Sequence, residues 1–436
     1  MAWQEMYKDK LISIEDAARV IKSNDRVLYS PGGSSPFDVI NAICKRKDEL
    51  SNVQMFSGLV FFPFDYFKPD YIGHISHTTL FMGPVERKVF SLGNVSILVN
   101  QFGQLDWVIP NVVKPDVFIM EAAPPDKNGN FSFGVLGTVI GDIAVKTAKT
   151  IIVQVNNKQP YVQGSERAFV NIKDVHYICE QDHPLPAIPI APLSEIEKQI
   201  AAHIIPFIED GSTIQLGIGG LSNAIGYSLE HHKDLGIHTE MFVDSMVTLV
   251  EKGVVTGKRK TLHPGEITCS FGVGSQALYD FMGTSKDIRT YPIGYVADDS
   301  VIGQNKNFVA INGAMMSDLT GQVCSESIGH IQFSGTGGQL NFVRGCWRSD
   351  GGKSFLSLES SVKRPDGKIE SRIMTSLPPG AVVTTPRTDV QYIVTEYGVA
   401  DLRNRTIPER VKAMVNIAHP DFRDQLLSDA KAARLI

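Results

Sequence analysis

One carboxylate stands where a carboxylate is costly to keep. Glu240 lies inside Gly236-Ile237-His238-Thr239-Glu240-Met241-Phe242-Val243, an apolar run of strand character. Such a run seldom holds a charge without a partner or a chemical task. The group could serve as acid, base, metal ligand or nucleophile. A buried ion pair with a distant Arg or Lys is the alternative. His238, two residues away, shares its face only if the segment is a strand. No His/Asp/Glu cluster with ligand spacing surrounds Glu240, so no metal site is expected.

Two glycine-rich segments flank it in the chain. Gly217-Ile218-Gly219-Gly220-Leu221-Ser222-Asn223 follows a strand pattern and opens a helical one. Glycines there let main chain approach a ligand, and a helix N-terminus attracts a phosphate or pyrophosphate. The segment is neither a Walker A nor a G-x-G-x-x-G motif, and a plain strand-to-helix turn explains it equally well. Ser334–Gly345 is the second segment; it could supply N–H donors to an oxyanion, or simply be a loop that needs positive φ. Cys346 beside it has no His nearby and reads as a packing residue. Leu59–Phe67 (LVFFPFDYF) reads as core or interface packing, with an apolar substrate pocket as the alternative.

The elements that must hold these residues alternate in type. Arg26–Ser30, Val117–Met120, Thr150–Val155, Thr213–Leu216 and Val382–Thr385 read as buried strands. Ser13–Lys22, Phe37–Arg46, Asp142–Lys149, Ser194–Ile208 and Pro408–Val415 read as helices. This alternation predicts an α/β fold with a largely parallel sheet. His183–Leu193, with four prolines in eleven residues, marks a domain boundary. We place the domains at 1–185 and 186–436, with a capping box at Ser194–Glu197 opening the second. The halves repeat. Ile21–Gly33 maps onto Ile208–Gly220 at an offset of 187, Gly-Gly on Gly-Gly. Ala123–Asn130 maps onto Met316–Gln322 at an offset near 192. The repeat predicts two similar α/β domains facing a ligand cleft.

The chain has 436 residues, 43% of them hydrophobic and 20% charged, enough for a large core in two or three domains. A net charge of −5 with mixed signs offers no field for nucleic acid or anionic lipid. Five cysteines, none in C-x-x-C spacing, predict a reducing compartment. The first residues contain no signal-peptide core and no run reaches membrane-spanning length, so a cytoplasmic location is expected.

Taken together and in order, these motifs resemble the acetyl-CoA hydrolase/transferase branch of the class I CoA-transferases, nearest the 4-hydroxybutyrate CoA-transferase and butyryl-CoA:acetate CoA-transferase types. The residues that carry the resemblance are Gln215–Ile225 (QLGIGGLSNAI), Leu235–Met241 (LGIHTEM), Gln332–Gly345 (QFSGTGGQLNFVRG), Val394–Leu402 (VTEYGVADL) and Asn416–Leu426 (NIAHPDFRDQL). It runs over nearly the whole chain.

The resemblance implies two pseudo-symmetric open α/β domains of CoA-transferase type facing a central cleft, and a homo-oligomer. It implies that Glu240 is a nucleophile forming an acyl-glutamyl anhydride and then a glutamyl-CoA thioester, with ping-pong kinetics. It assigns CoA contacts to Gly217, Ile218, Gly219, Gly220, Leu221, Met315 and Gly338. Gly337 and Gly338 are the oxyanion-donor candidates, and Gly32, Gly33 and Met316 the acyl-pocket candidates. The substrates would be an acyl-CoA and a carboxylic acid, with no permanently bound cofactor. A carboxylate already ionised at pH 7 would need no activating triad. Met315-Met316 stand where the family often has an acidic or amide residue. With LVFFPFDYF they point to a short- to medium-chain apolar acyl group rather than a 4-hydroxy acid. Acyl-CoA hydrolysis on the same scaffold is the alternative, separated by access of water. A non-catalytic CoA- or nucleotide-sensing protein is a third reading, which an intact Glu240 between two glycine loops disfavours.

Overall fold

The computed structural model describes residues 2–189, 192–217 and 219–436. The chain is α/β and divides into two compact units, 1–189 with 268–296 and 190–267 with 297–436. The return of 268–296 to the first unit is not part of the continuous division at 185/186.

The first unit is built on a seven-stranded parallel sheet. Its strands are β1 (Arg26–Tyr29), β2 (Val53–Ser57), β3 (Ile75–Thr79), β4 (Val95–Ile97), β5 (Val117–Ala122), β6 (Thr150–Val155) and β7 (Tyr177–Glu180), in the order β4-β3-β2-β1-β5-β6-β7. All six residues of β5 are buried, and all but the first of β6. Burial on both faces is why these strands read as mostly apolar runs, with Glu121 and Gln154 as buried polar exceptions. Much of LVFFPFDYF is core: Val60, Phe64, Tyr66 and Phe67 pack with Tyr29, Ile40 and Met55.

In the second unit the strands are β8 (Thr213–Leu216), β9 (Gly236–Phe242), β10 (Phe308–Gly313), β11 (Lys353–Ser357), β12 (Tyr392–Thr395) and β13 (Gly398–Asp401). They run in the order β9-β8-β10-β11-β12-β13, parallel except for the last hairpin. The first helix, α1 (Glu195–Ile204), opens with the expected capping box: the Glu197 amide donates to Ser194 Oγ and the Ser194 amide to Glu197 Oε2. Pro206, which has no N–H to donate, lies in the 3₁₀ turn Ile205–Phe207 that follows.

The repeat is present in backbone detail. β1 pairs with β5 through Val27↔Val117, and β8 with β10 through Ile214↔Val309. These pairs are related by the offsets of 187 and 192 found in the sequence. The Asp turns match as well. Asp126 Oδ1 accepts the amides of Asn128 and Asn130, each at 2.8 Å. Asp318 Oδ1 accepts those of Thr320 and Gln322 at 2.9 and 3.0 Å. In each turn a glycine, Gly129 or Gly321, takes a positive φ.

Val382–Thr385 is not a strand. Val382 and Val383 are 39% and 41% exposed, and Thr385 makes only an isolated bridge, to Val323. β-Branched residues favour strands only where a face is covered. Here the segment follows Pro378-Pro379-Gly380, and the sheet is continued by β12 instead.

Asp318 is 3% exposed, whereas Asp126 is only partly buried. Asp318→Ala should lower stability by about 1–3 kcal/mol for each donor left buried and unsatisfied. Asp126→Ala, whose donors can turn to water, should cost less. Urea midpoints of the two variants check this ordering.

Candidate active site

Glu240 lies in β9, whose seven residues are all buried. The segment is a strand, so His238 shares its face. The His238 ring stands edge-on to Phe308 and Phe342, with centroids 5.9 and 6.5 Å away. Glu240 itself is 6% exposed. Among the described residues no Arg or Lys forms an ion pair with it, and its Oε2 has no hydrogen-bond partner. The buried-ion-pair alternative is therefore not what the structure holds.

Burial pushes the Glu240 carboxyl up to about 7, and the Gly338 main-chain amide pulls it more weakly the other way. The carboxylate is thus not fully ionised at pH 7, as an ordinary glutamate would be. Loss of water disfavours the charge, and no cation compensates.

Gly338 is the N-cap of α3 (Gln339–Arg348), the helix that follows β10 and its Asp turn and precedes β11. A Cβ built on Gly338 would overlap Glu240 Oε2. Only a residue without a side chain lets the main chain come this close. Gly337 before it is buried with φ +59°. The segment read as a glycine-rich loop over Ser334–Gly345 is a loop only to Gly338; the rest is helix.

The other glycine segment ends β8. Thr213↔Gly236 and Ile214↔Ile237 set its register against β9. Continuing that register puts Gly217 level with Glu240. The Gly217 amide donates to Ile311 O on β10 at 2.8 Å. Gly219, at φ +120°, turns the chain into the nine-residue helix α2 (Gly220–Ser228), whose first turn includes Leu221. Ile218 lies outside the described residues. β8 and β10 are where the strand order reverses, and the carboxyl ends of strands at such a point form a natural ligand crevice.

Two residues at this point escaped the sequence reading. Gln215 and Asn312 exchange amide hydrogen bonds, both 3.0 Å, across β8 and β10. Asn312 also lies close against Gly217. The polar Gln inside the apolar TIQL strand was the available signal; nothing local marked Asn312. Met315 is half-buried, with its amide on Cys324 O at 2.9 Å, and Met316 is buried in a short strand. Cys346 is a packing residue as expected, 1% exposed and pushed up to about 12 by burial.

Gly32 and Gly33 belong to the first unit. Gly32, at φ +52°, lies against Leu136, Phe61 and the Leu59 carbonyl. Beside it is an apolar pocket whose lining includes Pro31, Leu59, Leu80, Phe102, Leu136 and Phe271. Leu136 and Phe271 arrive from distant parts of the chain, so no local pattern announced them.

Folding raises the Glu240 carboxyl from an ordinary 4.5 to about 7, so the folded state holds its proton more tightly. Stability from this group is present below pH 4.5 and is lost as pH rises through 7. Above pH 7, Glu240→Gln should be the more stable protein by up to about 3 kcal/mol. The difference should close near pH 4 to 5, which melting temperatures of both proteins across that range would reveal.

Comparison with known proteins follows the same lines. Residues 1–189 match the acetyl-CoA hydrolase/transferase N-terminal domain and residues 274–430 its C-terminal domain. The chain is 39% identical to the 4-hydroxybutyrate coenzyme A transferase of Clostridium kluyveri, over 99% of both chains. It is 36% identical to the butyryl-CoA:acetate CoA-transferase of Anaerostipes caccae, over 100% of this chain and 99% of that one. The crystal structure of RipA from Yersinia pestis superposes with a TM-score of 0.94 at 32% identity, over 100% of each chain. With full-length identity of this order and a domain match on either side of the proline-rich segment, the chain belongs to the acetyl-CoA hydrolase/transferase family.

Proposed function

We propose that this chain is a CoA-transferase that moves CoA from a short- to medium-chain acyl-CoA to a carboxylate such as acetate, with Glu240 as the nucleophile. The observation that carries the reading is a buried carboxylate that has no ion-pair partner among the described residues and is set against the main chain of Gly338. A glutamate kept for structure would be paired; one kept for attack must have a free oxygen.

A Glu240 oxygen attacks the thioester carbonyl, the C–S bond breaks, and CoA leaves as thiolate. The product is an acyl-glutamyl anhydride. The thiolate then attacks the glutamyl carbonyl, the anhydride C–O bond breaks, and the first acid leaves as its carboxylate. Glu240 now carries CoA as a thioester, and the acceptor carboxylate reverses both steps. Each tetrahedral centre places negative charge on an oxygen, for which the Gly337 and Gly338 amides are the assigned donors. The desolvation that raises the Glu240 pKa also leaves its ionised form without a water shell to shed. Gly217–Leu221, Met315 and the start of α2 are assigned to CoA, whose phosphates suit a helix N-terminus.

For the acyl group, with Gly32, Gly33 and Met316 as the candidate residues, the apolar Met315-Met316 pair favours an alkyl chain over hydroxy or dicarboxylic acids. The five cysteines are free and buried, which suits a reducing, cytoplasmic setting. A homo-oligomer is carried forward as part of this reading.

Mass spectrometry after incubation with acyl-CoA and borohydride should find Glu240 reduced. An unmodified Glu240 in a protein that still turns over would end the proposal. Glu240→Ala should fold but lose transfer, and kcat/KM should rise with pH through about 7 as the carboxyl ionises. CoA release that does not depend on acetate would favour hydrolysis. Activity confined to hydroxy or dicarboxylic acids would refute the apolar assignment.

A further inference from the structure

The second unit holds another buried carboxylate, which the chemistry above does not use. Glu326 is 4% exposed. Its two oxygens accept the Thr336 hydroxyl at 3.3 and 3.2 Å, and Oε1 also accepts the Thr384 hydroxyl at 2.9 Å. Its main-chain carbonyl accepts the amides of Phe333 and Ser334 at 2.8 and 3.1 Å. Thr384 Oγ1 in turn accepts the Ser325 amide at 2.9 Å. One residue thus ties down the start of the glycine loop, a side chain within it and the 384 segment.

That loop is Ser334-Gly335-Thr336-Gly337-Gly338, three glycines in five residues. Glycine gives a chain many alternative conformations, so such a loop does not hold one arrangement by itself. Thr336 immediately precedes Gly337, and its hydroxyl is the loop's side-chain tether to Glu326. The Thr336 hydroxyl is shared between both Glu326 oxygens at 3.3 and 3.2 Å, a long contact that nonetheless limits where the loop can sit.

We propose that Glu326 is a positioning residue: through the Thr336 hydroxyl it holds the Gly337 and Gly338 amides in the arrangement that meets Glu240. This rests on the reading of Glu240 as the nucleophile. Glu326 does not touch the reacting atoms; its effect passes through the loop. Misplacing main-chain donors should slow formation of the tetrahedral centres more than it weakens binding of the CoA moiety.

The test compares wild type with Thr336→Val, Thr336→Ser and Glu326→Gln, each first shown by its urea transition to be folded under assay conditions. Thr336→Val and Glu326→Gln should lower kcat about tenfold to a hundredfold with little change in KM for acyl-CoA. They should slow borohydride-trapped labelling of Glu240 to the same extent. Thr336→Ser, which restores the hydroxyl without the methyl group, should recover most of the rate. If Glu326→Gln does not fold, the Val and Ser variants decide the matter alone. Wild-type kcat in a folded Thr336→Val, or Thr336→Ser as slow as Thr336→Val, overturns the proposal. Absence of labelling in the wild type would instead remove the nucleophile reading, and this inference with it.

Discussion

The second unit is organised around the desolvation of one carboxylate beside main chain that nearly touches it. Water is kept from Glu240 because all of β9 is buried. The weak counterweight is an amide, that of Gly338, and not a cation. Full pairing with Arg or Lys would make this glutamate comfortable and poorly reactive. Leaving it unpaired costs stability above neutral pH and keeps an oxygen available. The approach of Gly338 excludes any side chain at that position, and the positive φ of Gly337 brings the loop in to begin α3.

The duplicated architecture puts one scaffold to two uses. β1 with β5 and β8 with β10 share strand register and the Asp turn that follows. After β1 the Gly-Gly turn borders an apolar pocket. After β8 it leads instead into the N-terminus of α2, starting from Gly217, which the strand register sets level with Glu240. The shared part is main-chain geometry, which tolerates divergence. The divergent part is the side chains at the strand ends, where chemistry is set.

Segments whose pattern was dictated locally were legible. Thr213–Leu216 and Thr150–Val155 are strands with the expected bounds, because strands buried on both faces are predominantly apolar and β-branched. Ser194–Glu197 opens a helix because a capping box satisfies its own donors. Val382–Thr385 failed for the converse reason. Its residues prefer strands, but nothing covers Val382 and Val383. The segment instead presents Thr384 and Thr385 to Glu326 and Gln339.

The sequence alone determined that a carboxylate stood in an apolar strand, that glycine segments flanked it, and that the halves repeat. Those are properties of residue type and spacing. The tertiary structure decided the protonation balance of Glu240, its lack of an ion pair among the described residues, the contact with Gly338, the Gln215–Asn312 brace and the pocket completed by Leu136 and Phe271. Each depends on exclusion of water or on residues far apart in the chain, which spacing along a sequence does not encode.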